Sequence, residues 1–232
     1  MRTRKPLSGP FSELPFYTQN EIEHLCVDEL AKVNLLPDQP APVRIDRFIE
    51  KRFGRPHQYA DLPSGILGLT QFGPKGVQNI VLSEALESDT SKPNERRLRT
   101  TLAHEAGHGL LHAHLFVLSQ NKPLFGDWSD NNKPKVLCRG EVTELAAKAK
   151  TEPWEYQANM VMGAILMPKR LTLVAIEPFL TANGGLGVTR LETGNRQRAI
   201  QALAEVFDVN PIVVRIRLSQ LIPSENTGQL TL

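Results

Sequence analysis

Cysteine is scarce: the 232 residues contain two, Cys26 and Cys138. Far apart in sequence, they do not make a disulfide framework. Long apolar runs are missing as well. None approaches the roughly 18 residues that would span a bilayer. The N-terminus lacks the apolar core of a signal peptide, because Pro6, Gly9 and Pro10 directly follow the charges Arg2, Arg4 and Lys5. Charge of one sign is also in short supply. A net charge of +2 does not demand a nucleic-acid or membrane partner, and the short basic start reads as a solvated tail. These absences favour a cytoplasmic globule with one sizeable core, or a core plus a small appended segment.

What is present begins after a tail expected over residues 1–16. Thr18 and Glu21 form a T-x-x-E capping box that predicts a helix to about Val33, with Ile22, Leu25, Cys26 and Leu30 buried and His24 at the surface. A proline-rich connection from Leu35 leads to a second helix, about Ile45 to Phe53, ended by Gly54. Ile66–Phe72 and Asn79–Ser83 read as strands joined through Gly73-Pro-Lys-Gly76. An edge strand there could bind an extended peptide through its free backbone groups. A long helix is expected from about Asn94 to Phe116, then a polar, proline-rich loop over residues 117–133 and a short strand at Val136–Arg139.

The long helix carries Thr101-Leu-Ala-His104-Glu105-Ala-Gly-His108, the pattern H-E-x-x-H. Histidines four apart on a helix lie about 40° apart around the axis and one turn apart along it. Both imidazoles can reach one metal ion, and neutral imidazole suits zinc. Glu105 projects beside them, placed to take a proton from activated water and hand it to a leaving group. Gly107 costs about 1 kcal/mol relative to alanine in a helix, so close packing is expected there.

A catalytic zinc takes three protein ligands and leaves one position open. His114 stands ten residues after His104, but Leu111 replaces the glycine that would turn the chain, and a continuing helix carries His114 roughly two and a half turns away. His112 fails for a similar reason and reads as a residue behind the site or at the surface. The stronger candidate is Glu155 in Glu152-Pro-Trp-Glu155-Tyr-Gln-Ala-Asn159, opening an apolar helix that ends at Pro168. Asn159, one turn on, is placed to orient a ligand histidine.

Arg99-Thr-Thr-Leu-Ala-His-Glu-Ala-Gly-His-Gly-Leu-Leu-His112, Glu155-Tyr-Gln-Ala-Asn159 and Leu166-Met-Pro168 resemble the ImmA/IrrE family of zinc metallopeptidases. The likeness extends to Ile45-Asp-Arg-Phe-Ile-Glu, Tyr59-Ala-Asp-Leu-Pro, Cys138-Arg139 and Leu203-Ala-Glu-Val-Phe-Asp-Val-Asn-Pro. The resemblance implies an α+β fold with a zincin-like, gluzincin-type core and a small antiparallel or mixed sheet. It implies Zn2+ held by His104, His108 and Glu155, with Glu105 as the catalytic carboxylate. It also implies a protein substrate, specifically a helix-turn-helix repressor.

The expected organisation is a tail (1–16), a metallopeptidase domain (17–175) and a C-terminal helical segment (176–232). That last segment passes a glycine-rich connection over residues 180–187 before two helices, about Arg196 to Phe207 and Asn210 to Leu221. Helix, turn and helix invite a helix-turn-helix reading. Arg215 and Arg217 alone are too few to make a phosphate-contacting stripe, so packing or substrate recognition is favoured over direct DNA binding. The alternatives to the peptidase are a catalytically silent zinc-fold regulator and a DNA-binding protein using these helices. Tyr156, His112 and His114 are the candidates for stabilising an oxyanion.

Overall fold

The computed structural model describes residues 3–4, 14–115, 135–139, 153–183 and 188–222. The loop expected over 117–133, the end of the long helix near Phe116 and residues 184–187 lie outside them. The fold is mixed α+β.

Helix α1 (Gln19–Lys32) starts on the expected capping box: Thr18 Oγ1 accepts from the Glu21 amide, and the Glu21 carboxylate accepts from the Thr18 amide at 2.7 Å. Cys26 and Leu30 are fully buried, and His24 is exposed. Helix α2 (Ile45–Phe53) stops at Gly54, whose φ of +75° is the left-handed cap that glycine adopts without a β-carbon clash. The tail is not wholly irregular. Strand β1 (Thr3–Arg4) pairs antiparallel with β2 (Leu14–Pro15), and Pro15 is buried.

The main sheet has four strands in the order β3 (Gln58–Ala60), β5 (Gly76–Ser83), β4 (Ile66–Gly73), β6 (Lys135–Arg139). The β3–β5 pair is parallel; β5–β4 and β4–β6 are antiparallel. Strand β5 begins three residues before the expected start, because Gly73 pairs directly with Gly76 around the two-residue turn Pro74-Lys75. Strand β4 is paired on both sides, by β5 and β6, so among the described residues the outer strands are β3 and β6, and β3 covers only Val81–Ser83 of β5.

After the short helix α3 (Glu84–Ser88), helix α4 spans Lys92–Leu111. It starts two residues early because Pro93 sits in its first turn, where a missing N–H leaves nothing unsatisfied. It also stops short of Phe116. His112, at φ −115° and ψ −11°, still lies in the right-handed helical region and keeps the bond to His108 O at 2.9 Å, and one further helical turn follows over 113–115. From Thr100 to Gly109 every residue of α4 is buried, rather than one face, since α2, β4, β5 and helix α5 (Pro153–Leu166) surround it.

Helix α6 (Lys169–Ile176) leads to a β7–β8 ladder (Thr181–Asn183 with Val188–Arg190), then α7 (Thr193–Phe207) and α8 (Pro211–Leu221). These last helices share the main core: Leu203, Phe207, Val214 and Leu218 belong to the same buried cluster as Leu102 and Val161. Arg217, counted from sequence as a cation for phosphate, is buried. It forms a forked ion pair with Glu23 of α1 (2.5 and 2.7 Å) and donates from Nε to Met167 O at 3.0 Å. Arg215 remains exposed. Among the described residues no single helix is long and apolar enough to cross a membrane.

Candidate metal centre

Helix–helix contact builds the site. A β-carbon at Gly107 would stand 2.8 Å from Ala158 O and 3.0 Å from Ala158 Cα, so only glycine lets α4 approach α5 this closely. That is the close packing expected at Gly107. The contact puts Glu155 beside the paired histidines. His104 Nε2 and His108 Nε2 lie 3.0 Å apart, and Glu155 reaches them at 3.1 and 3.4 Å. All three side chains are buried, and this group could hold a metal ion.

The donor chemistry fits a cation. Four donors about 2.0–2.1 Å from a tetrahedral ion sit roughly 3.3 Å from one another, close to the spacings seen. His104 Nδ1 lies 3.0 Å from Asn159 Oδ1. An amide oxygen only accepts, so the ring proton sits on Nδ1 and the Nε2 lone pair faces inward. His108 Nδ1 lies 3.0 Å from Nδ1 of His112. Burial first, then His108, hold the His112 pKa well below its ordinary value. A neutral His112 accepting from His108 therefore turns the second Nε2 lone pair inward too. Burial opposes charge on Glu155; protonated His108 and His104 would outweigh it and hold that carboxyl well below the usual range, and a cation among neutral imidazoles would act in the same sense. Two lone pairs and a carboxylate converging in a buried space repel one another unless a cation sits among them.

Glu105 is completely buried. Its Oε2 accepts from Thr70 Oγ1 of β4 at 2.6 Å, whereas its Oε1 has no hydrogen-bond partner among the described residues. Burial raises its pKa, opposed chiefly by His108 and His104. Gly68, two residues before Thr70 on the same strand face, makes room: a β-carbon there would meet Thr101 Cγ2 at 2.8 Å and Glu105 Oε1 at 3.2 Å.

The sequence-named residues His104, Glu105, His108, Glu155 and Asn159 are thus brought together. His114 is not in the metal group; its Nε2 is buried without a partner among the described residues. Helix α4 ends at Leu111, and His114 lies in the further helical turn over 113–115. His112 lies behind His108 rather than at the surface, and Tyr156 is half-buried. Thr70 and Gly68 were not singled out. A glycine inside a strand is itself a signal of close backbone approach, and Thr70 follows from it by the two-residue strand period.

The sequence matches no protein-family model, and no curated protein matches it.

Proposed function

We propose that the chain is a zinc-dependent endopeptidase with a zincin-like core of the ImmA/IrrE kind, acting in the cytoplasm on a protein substrate. The observation that carries this reading is the buried His104–His108–Glu155 group with a neighbouring carboxylate, Glu105, one oxygen of which has no hydrogen-bond partner among the described residues. A purely structural metal site closes its coordination with a fourth protein ligand and has no use for such a group.

Zinc is the ion that suits two imidazoles and a carboxylate; when bound it supplies Lewis acidity, polarising a carbonyl and acidifying water. Glu105 takes the proton of attacking water at Oε1 while Thr70 fixes the other oxygen. It returns that proton to the amine as the peptide C–N bond breaks, so acid and amine products balance. Positioned proton transfer of this kind contributes about 10²–10⁴-fold. Asn159 and His112 keep the ligand histidines in the tautomer that binds metal.

The resemblance of the H-E-x-x-H and Glu155–Asn159 motifs to that family supports a helix-turn-helix repressor as substrate. A folded repressor must offer an extended segment, so a linker or locally unfolded stretch is the cleavage site. Burial of Arg217 in an ion pair counts against direct DNA binding by the last two helices, and favours their role in packing and docking.

The test is purified zinc-loaded protein incubated with a repressor encoded beside it, with Glu105→Gln as control. One discrete cut, absent in the control, supports the reading. Equal cleavage by both proteins, or no cut alongside efficient hydrolysis of unrelated short peptides, overturns the assigned mechanism or the assigned substrate respectively.

A further inference from the structure

The candidate ligand His108 stands between two glycines of α4, Gly107 and Gly109. Two residues apart on a helix is about 160° around its axis, so these glycines face nearly opposite ways, with His108 about 100° from each. On one side Gly107 meets Ala158 of α5. On the other, a β-carbon at Gly109 would stand 2.7 Å from Cζ and 3.0 Å from Cε1 of Phe53, and 2.9 Å from Cγ2 of Val77 on β5. Phe53 is the last residue of α2, directly before the left-handed cap at Gly54. Its ring is held in place. It meets the fully buried Phe48 edge to face, with 6.4 Å between centroids, and the Arg52 guanidinium lies 5.5 Å from its centre. Arg52 is itself tied to Glu29 of α1 by an ion pair.

We infer that Phe53 is a positioning residue of the metal centre: seated on Gly109, its ring holds α4 against α5 and so sets how far His108 stands from Glu155. Ala158 blocks movement of α4 toward α5, and Phe53 with Val77 blocks movement away. The separation this fixes, 3.4 Å between His108 Nε2 and Glu155, lies across the α4–α5 contact. A close-packed interior transmits a displacement at one contact to the next instead of absorbing it. The inference rests on the reading of His104, His108 and Glu155 as metal ligands, and not on peptidase activity. A residue that only filled the core would change stability and leave the metal affinity of the folded protein alone. One that sets ligand spacing changes that affinity, and support behind a ligand is worth roughly ten- to a hundredfold.

The experiment is a zinc-affinity titration of the full-length wild type, Gly109→Ala, Phe53→Leu and the double variant, without denaturant and with folding checked by circular dichroism. The visible absorption of each protein loaded with cobalt(II) in place of zinc reports the arrangement of the ligands. Gly109→Ala is expected to bind zinc about tenfold more weakly or worse, with an altered cobalt spectrum. Phe53→Leu, which removes the backstop, should also weaken binding. In the double variant the leucine lacks the Cζ and Cε1 that the new β-carbon would strike, so part of the affinity lost in Gly109→Ala returns. Wild-type affinity in Gly109→Ala overturns the inference, as does a double variant that binds no more tightly than Gly109→Ala. Should Gly109→Ala fail to fold, Phe53→Leu decides alone: wild-type affinity and spectrum there overturn the inference. Failure of the wild type to bind zinc or cobalt overturns the metal-centre reading, and this inference with it. A wild type that binds metal, with variants that bind it equally well, overturns only the inference.

Discussion

Gly107 and Ala158 meet so closely that a β-carbon on the first would stand 2.8 Å from the carbonyl oxygen of the second. The contact has a consequence in register. His104 and His108 lie three residues before and one after Gly107; Glu155 and Asn159 lie three before and one after Ala158. One crossing point of two helices therefore sets four side chains around one centre. Gly107→Ala is expected to push the helices apart, costing about 1–3 kcal/mol of stability as overpacking does. Metal content should fall with it. Urea denaturation and metal analysis of the purified variant check both, and a variant as stable and as metal-rich as the wild type would contradict the account.

Glu155→Ala should lose most of its metal, because two imidazoles alone leave a tetrahedral ion half-coordinated by protein. His114→Ala should stay near wild type, since His114 lies outside the ligand group. Atomic absorption on both dialysed proteins ranks them, and the reverse ranking would make His114 the third ligand.

Glu105→Gln should keep fold and metal while lowering cleavage by about 10²–10⁴-fold, since the amide retains shape but not the basic oxygen. Thr70→Val tests the other end of the same carboxylate. It removes the 2.6 Å hydrogen bond, and a bond to a charged group is worth about 1.5–3 kcal/mol. Turnover should therefore drop roughly tenfold or more with zinc content unchanged, and Thr70→Ser should recover most of it.

The sequence made the candidate metal group legible because its spacing is chemistry: i and i+4 on one helix, and a carboxylate opening a second. Caps were legible for a similar local reason, as at Thr18, Glu21 and Gly54. Apart from the close approach signalled by Gly107, what could not be read was set by long-range packing. The early stop of α4 at Leu111 accompanies His112 turning in behind His108. The loss of a free edge on β4 follows from its pairing with β6, a strand more than sixty positions away. Nothing local marks Glu23 as buried; its partner Arg217 stands 194 positions away.

Cys26 ties alkaline stability to this core. Burial, and after it Glu23, push its thiol pKa well above the ordinary value, whereas in the unfolded chain it ionises near about 8.5. The folded state then holds the extra proton at alkaline pH. The stabilisation is full below about 8.5 and declines above it, by up to about 1.4 kcal/mol per pH unit. Cys26→Ala should flatten the fall in unfolding free energy between about pH 8.5 and 10, measured by urea denaturation across that range. An unchanged slope would show that the thiol is reachable by hydroxide in the folded protein.

Removing one member of the Glu23–Arg217 pair should cost about 3–5 kcal/mol, because the other charge is left buried alone. Replacing both by Leu and Met, which fill similar volume, should cost much less. Thermal denaturation of the two single variants and the double variant measures the difference.

That ion pair also bears on when the protein becomes functional during its synthesis. Glu23 leaves the ribosome 194 positions before its partner. Until Arg217 emerges, α1 carries an uncompensated buried acid and α5 lacks the cover of α8, so the helix that bears Glu155 has no settled place to dock. A nascent chain halted before residue 217 would hold both histidines and still lack the environment that aligns the third ligand. Completion of the candidate metal group is thus expected to wait until residue 217 has been made.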